Sequence, residues 1–391
     1  MKRIAYISCL GVIGILTTEF GVIGILPQIA VYYHISIDKA GLLLSLFALV
    51  VGIIGPMMSM ATARYNRKTV MVASLTLFLI TGIVSACSPP FWLLLTVRVL
   101  PTLLHSAYFA SALAAVISTS AKHNQHKMMA IALSGINIAT VTTVPLSTYI
   151  ASTFSWQYSF GLQAVVSAIA LGCILMFLPS LPPTKAITYR DQLTILKKPA
   201  VWLSLLMCVM MFAAEFAIYS YFASYMIKVK NVTEKEVSFL MFVFGLTGLL
   251  GIWLAGKTLS KSIARTNITF ILGCTIAIPL CLYYTDHNLW LLMCVVAVWG
   301  ICYAHGVLIA TSSISSAAPE ALEFANGLTA SFANFGITAG TTAGGWVIAH
   351  KGIAQTPWLS AALGAGAITL VVVRSTWDRK SKTIIRPVVI E

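Results

Sequence analysis

Two acidic residues stand where acids are rarely found. Glu19 lies inside an apolar run covering about residues 5–31, and Glu215 inside another near 200–226. Two histidines, His105 and His305, and one arginine, Arg98, share that setting, with Asn137 and Asn334 as uncharged donors and acceptors. A charged group at the centre of a bilayer costs roughly 3 kcal/mol on insertion scales, so such residues usually serve a function. Desolvation penalises the ionised carboxylate, and histidine changes charge near neutral pH. Together these groups can take up and release protons. Each also has a plainer use. Glu19 can bond Thr17, Thr18 or Arg98, and Arg98 can sit a turn inside its span and cap a carbonyl. Glu215, the histidines and the asparagines can be ordinary helix contacts.

The elements that must hold these residues follow from composition. The 391 residues are 59% hydrophobic and 9% charged, with a mean hydropathy of +0.90. A soluble domain carries about 25% charged residues, which excludes a soluble protein. The net charge of +14 lacks the basic stripe with interleaved aromatics of a nucleic-acid binder. Eight cysteines are scattered singly without a C-x-x-C pair, so they read as small buried apolar residues and not as a metal site. No H-E-x-x-H or G-x-S-x-G occurs, and the one string with G-x-x-x-x-G-K-[ST] spacing, Gly251-Ile-Trp-Leu-Ala-Gly256-Lys257-Thr258, lies in an apolar run of span length and not between a strand and a helix, where a phosphate loop would have to be. The chain is therefore read as a non-enzyme with no cofactor and no nucleotide-driven pump.

Apolar runs of span length predict twelve transmembrane helices near 5–31, 39–62, 69–88, 91–118, 127–150, 157–178, 200–226, 236–256, 267–284, 289–315, 322–349 and 356–375. The first carries Glu19 and no closing small-residue cleavage site, so it reads as a retained helix and not a signal peptide. Nineteen of the 25 Lys and Arg fall on the side of both termini, five fall on the other, and Arg98 lies within a span. That asymmetry predicts cytoplasmic termini in a cell (inner) membrane. Residues 179–199, opening Pro-Ser-Leu-Pro-Pro, link a first bundle (1–178) to a second (200–375), with a cytoplasmic tail at 376–391. Matches at nearly one offset relate the bundles: Glu19-Phe20 with Glu215-Phe216, His105 with His305, and Asn137…Thr140 with Asn334…Thr338. Such a parallel duplication is the pattern of a secondary transporter.

Aromatics gather near the acids, among them Tyr108, Phe109, Tyr219, Tyr221, Phe222, Tyr225, Trp299 and Tyr303. Rings stack on flat substrates and attract cations, although most aromatics in such helices are packing or interface belts. Gly336, Gly340 and Gly344 form a small-x-x-x-small ridge suited to close approach and sliding of helices. Glu320 and Glu323 open the same helix beside Pro319, where acids suit the dipole.

The stretch Thr17-Thr-Glu-Phe-Gly-Val-Ile-Gly-Ile-Leu-Pro-Gln-Ile-Ala30 resembles the first-helix signature of the drug:proton antiporter branch of the major facilitator superfamily, which holds bacterial sugar and drug efflux permeases. Ala40-Gly41 and Gly55-Pro56 extend the likeness. Other family motifs are worn. The loop after the second span, Ser59-Met-Ala-Thr-Ala63-Arg64-Tyr-Asn66-Arg67-Lys68, keeps the basic residues and lacks the acid at Ala63. The fifth span keeps Pro145, with Val144 in place of glycine. The fourth keeps its arginine as Arg98, with Thr102 where glycine is common. The resemblance implies an all-α fold of two six-helix pseudo-repeats, working as a monomer in the bilayer on a small-molecule substrate and protons. It implies proton coupling through Glu19 and Arg98, to which the residues themselves add Glu215 as the mirror acid and a substrate site drawn from Tyr108, His105, Asn137, Tyr219, Trp299, Tyr303, His305 and Asn334. A cytoplasmic gate would pair Arg64, Arg67 or Lys68 with Glu320 and Glu323, replacing the missing acid. The rival readings are an uncoupled or uptake facilitator for a sugar, nucleoside or other metabolite, and a transport-dead scaffold.

Overall fold

The computed structural model describes residues 2–121, 124–182 and 192–384. Eleven helical segments are long and apolar enough to cross a membrane. They are α1 (Lys2–Tyr32), α2 (Ile37–Thr62), α3 (Arg67–Ala86), α4 (Phe91–Thr119), α5 (Lys127–Thr153), α6 (Trp156–Phe177), α7 (Pro199–Tyr219), α8 (Glu234–Leu259), α9 (Ile263–Tyr284), α10 (Leu289–Ala317) and, last in the chain, α12 (Ile353–Trp377). Between the last two runs α11 (Leu322–Lys351), a helix of 30 residues, about 45 Å long at the usual rise. It is less apolar than its neighbours because it carries Asn326, Asn334, Thr338 and Thr341. It packs between α2 and α7, and Asn334 and Thr341 are buried there, so these polar side chains are held in protein and not in lipid. The twelve helices match the expected spans to within a few residues at most ends.

Two spans break at repeat-related places. The first piece of α1 ends at Phe20, and helix resumes at Leu26–Tyr32 with Pro27 in its first turn. α7 ends at Tyr219 and is continued by Phe222–Lys230. Each break follows the acid of its bundle within about a turn. A broken helix frees carbonyls that its own backbone no longer pairs, and in hydrocarbon these need partners from elsewhere in the protein.

Packing differs at the two ends of the molecule. Away from the termini, one apolar cluster draws on both bundles, from Val22, Ile25 and Leu26 to Phe216, Tyr221 and Phe222. There Ser238 donates to the Pro145 carbonyl at 2.8 Å, Thr338 donates to the Ser45 carbonyl at 3.3 Å, and Gln28 bonds Glu234. The end bearing the termini carries two clusters, each confined to one bundle: one running from Ile4 to Leu178, the other from Ile195 to Ala325. Among the described residues, then, the bundles meet at the far end and part toward the termini.

The glycine ridge of α11 lies against α7 of its own bundle. A Cβ on Gly336, Gly340 or Gly344 would run into the carbonyl oxygens of Val209, Ala213 and Ala217 in turn. The ridge brings two backbones together inside the second bundle, where the expectation was a surface for sliding. Contact with the first bundle goes instead through Phe335, seated against Gly52, and Tyr221, seated against Gly41. Gly340→Ala should therefore strain the α7–α11 joint and cost about 1–3 kcal/mol. Gly172→Ala, at a position with open space around it, should not destabilise. Thermal unfolding of the two purified variants checks this, and equal melting temperatures would refute the assignment.

Candidate functional site

The break in α1 fixes the first site. With helix lost after Phe20, the Thr18 carbonyl has no partner in its own span, and the Nη2 of Arg98 on α4 donates to it at 2.9 Å. A cation at a helix C-terminus also suits the dipole there. The guanidinium is buried, over the ring of Phe160 at 5.3 Å and that of Phe47 at 6.0 Å. Its Nε and Nη1 make no hydrogen bond among the described residues. About two turns further along α4, His105 Nε2 lies 3.1 Å from Glu19 Oε2. Both side chains are almost wholly shielded, at 11% and 5% exposure. Glu19 is also an electrostatic partner of Arg98. One proton belongs between Glu19 and His105. Either an imidazole N–H donates to a carboxylate, or a carboxylic O–H donates to a bare ring nitrogen. An acid, a base and a fixed cation thus share one pocket between α1 and α4.

The second bundle repeats the acid in different company. Glu215 is buried and points at α9 and α10. Its partner is the thiol of Cys274, and its Oε2 makes no hydrogen bond among the described residues. Cys274 lies in a π-helical stretch of α9, Leu272–Ala277, a distortion often found at functional sites. The carbonyl of the same residue accepts the Trp299 indole N–H at 3.1 Å. His305 does not mirror His105. Its ring stacks on Phe270 at 3.5 Å, and its Nδ1 donates to the Cys302 carbonyl at 3.3 Å. Only the residues after the acids keep the symmetry. Phe20 and Phe216 meet across the bundles at 5.9 Å, so the two acids flank the midline from inside their own bundles and do not face each other.

Tyr219, Trp299 and Tyr303 form one aromatic wall with Phe244. Tyr219 stacks on Phe244 at 5.1 Å and tilts against Tyr303 at 4.8 Å. Tyr303 is half-buried, whereas Trp299 is closed off behind it. Tyr108 lies elsewhere, donating to the Ser8 carbonyl at 3.2 Å beneath Gly11 on α1. Asn334 donates to the Ala330 carbonyl, leaving its Oδ1 without a partner among the described residues, and Asn137 is half-buried on α5.

Glu320 pairs with Lys198, while the basic loop makes contacts within its own bundle. Lys68 Nζ donates to the Leu175 carbonyl at 2.9 Å, the Arg67 amide to the Leu181 carbonyl at 2.9 Å, and Arg64 lies over Tyr65. Asn66 caps α3 and bonds Ser180. The loop is thus tied to the start of the linker. Glu320 bonds Lys198 at 2.6 Å, which holds its carboxyl below the usual carboxylate range. That stabilisation is present above the ordinary carboxylate value and is lost as pH falls through the lowered one. The side chain of Glu323 lies outside the described residues.

Sequence reasoning passed over Phe20, Phe47, Phe160 and Cys274. For Phe20 a signal existed: the repeated dipeptide was Glu-Phe, and only its acid was read. Phe47, Phe160 and Cys274 look like any other apolar residue of a span, and pairing alone reveals them.

The chain matches the Major Facilitator Superfamily over residues 8–322. A probable sugar efflux transporter of Pasteurella multocida is 27% identical over 341 residues, covering 86% of this chain and 83% of that protein. The inner membrane transport protein YdhP of Escherichia coli O157:H7 is 28% identical, with 93% of each chain covered. The fold is shared with the nucleoside transporter NupG (TM-score 0.77, 15% identity, covering 96% of this chain and 99% of that one) and with a D-xylose–proton symporter (0.75, 15%, 94% and 96%).

Arg98→Met should destabilise the protein by about 3–5 kcal/mol, as removal of one member of a buried charged group does. Glu19→Gln combined with it should cost less than the sum of the two single changes, by about 0.5–3 kcal/mol. Denaturant unfolding of the four proteins tests the pairing, and strict additivity would disprove it. At the terminal end, Glu320→Gln should raise the acetylation of Lys198 to the level of Lys197, as read by peptide mass spectrometry. Unchanged labelling would mean that the ion pair does not form.

Proposed function

Because this chain belongs to the major facilitator superfamily, we propose that it is a proton-coupled exporter of small sugar- or drug-like molecules working by alternating access. The reading rests above all on one observation, the shielded Glu19–His105 pair beside Arg98. The name of the relative at 27% identity, a probable sugar efflux transporter, is consistent with it.

In the proposed cycle, substrate enters between the bundles where they part and rests against Tyr303 and Tyr219, with Asn334, Asn137 and His105 supplying polar contacts. With Glu19 ionised, Arg98 has a counter-charge. A proton arriving from the opposite side neutralises the acid, with His105 as its partner in the transfer. The guanidinium is then left uncompensated in hydrocarbon, at a cost of several kcal/mol. That cost biases the carrier toward the conformation in which Glu19 can lose its proton. Since a ligand shifts an equilibrium only by its differential affinity for the two states, proton and substrate need not touch in order to compete. Glu215, held by Cys274, serves as a second proton site in the other bundle. The termini and the parted end face the cytoplasm, and the chain works as a monomer in the cell membrane.

Reconstitution into proteoliposomes with a pH-sensitive dye tests the reading. Adding a transported sugar or drug to the wild type should move protons opposite to the solute. Glu19→Gln should abolish proton movement while retaining solute exchange. Solute flux without proton movement in the wild type would make the chain a facilitator, and co-directional flux would make it an uptake symporter. Either result overturns the proposal.

A further inference from the structure

A groove of about 510 Å³ lies outside both bundles, where the linker reaches the start of α7 and the end of α12. Its walls are Trp202, Leu206, Val373 and Trp377, each between 44% and 50% exposed, with Leu196 and Lys197 of the linker at its mouth. These exposed apolar groups belong to membrane spans, so they face lipid. The two indoles stand at span ends, the level that tryptophan prefers at the edge of a bilayer. Trp202 Nε1 donates to the Leu196 carbonyl at 2.7 Å, which seats the linker over the groove. Lys198 is taken by Glu320. Lys197 is exposed and makes no ion pair or hydrogen bond among the described residues.

We infer that this groove binds an anionic phospholipid, with an acyl chain between Trp202 and Trp377 and the phosphate at Lys197. Charge complementarity selects the occupant: a cation without an ion-pair partner among the described residues caps an otherwise apolar slot, whereas a zwitterionic lipid would set its own ammonium beside it. Basic pockets between spans are recognised headgroup sites. The bound lipid would share the linker with the Lys198–Glu320 pair and so hold the second bundle's terminal end together.

Vesicles of phosphatidylcholine doped with brominated phosphatidylglycerol or brominated phosphatidylcholine test this by quenching of indole emission. The contribution of Trp377 is isolated by difference from Trp377→Phe. The anionic lipid should quench Trp377 with about fivefold preference, the attraction of one lysine to an anionic surface. Lys197→Gln should erase the preference, and Lys197→Arg should keep it. Equal quenching by both lipids in the wild type, or a preference that survives Lys197→Gln, would overturn the assignment.

Discussion

A guanidinium placed in hydrocarbon has to be satisfied by what the surrounding helices can spare. Here the donation is a backbone carbonyl. α1 stops at Phe20, the Thr18 oxygen is left over, and Arg98 takes it. The same stop sets Glu19 in the last turn of its helix, opposite α4, where His105 is its partner. The aromatic faces of Phe47 and Phe160 then enclose the cation. Helix break, charge and acid–base pair therefore depend on one another. A continuous α1 would pair the Thr18 carbonyl within its own backbone and leave Arg98 with no reason to be there.

The two bundles share an ancestry in their spacing and differ in their chemistry. Glu19 has a histidine and an arginine, whereas Glu215 has a thiol on a π-helical turn and an aromatic wall. Repeat-related residues conserve position because the helices conserve packing, and side chains diverge where packing does not constrain them. His305 is the clearest case: it lies about a turn from the register of His105, at the break of its own span, and turns its ring onto Phe270. Sequence symmetry locates such residues without stating which way they point.

This explains what could be read from the chain in advance. The spans were legible because hydrocarbon demands about 20 apolar residues per helix, a constraint written along the sequence. The acids, the histidines and Arg98 were legible because ionisable groups in such runs are rare. Arg98 was legible as a partner of Glu19 and as a carbonyl cap, but His105 beside Glu19 and Cys274 beside Glu215 were not, since such contacts between helices depend on rotation about each helix axis. The glycine ridge shows the same limit: its spacing announced a close approach but not which helix would approach. The tie between the basic loop and the start of the linker, through Asn66 and Ser180, was likewise hidden in the sequence.

The polarity of α11 has a consequence for biogenesis. A segment with two asparagines, one of them the buried Asn334, and several threonines gains little by leaving water for lipid alone. Its place becomes favourable once α7 and α2 stand ready to receive it, because the glycine ridge fits only against the α7 backbone. Membrane integration of this helix is thus deferred to assembly. Its seating therefore depends on α2 and α7 being in place to receive it, whatever the order in which the chain emerges.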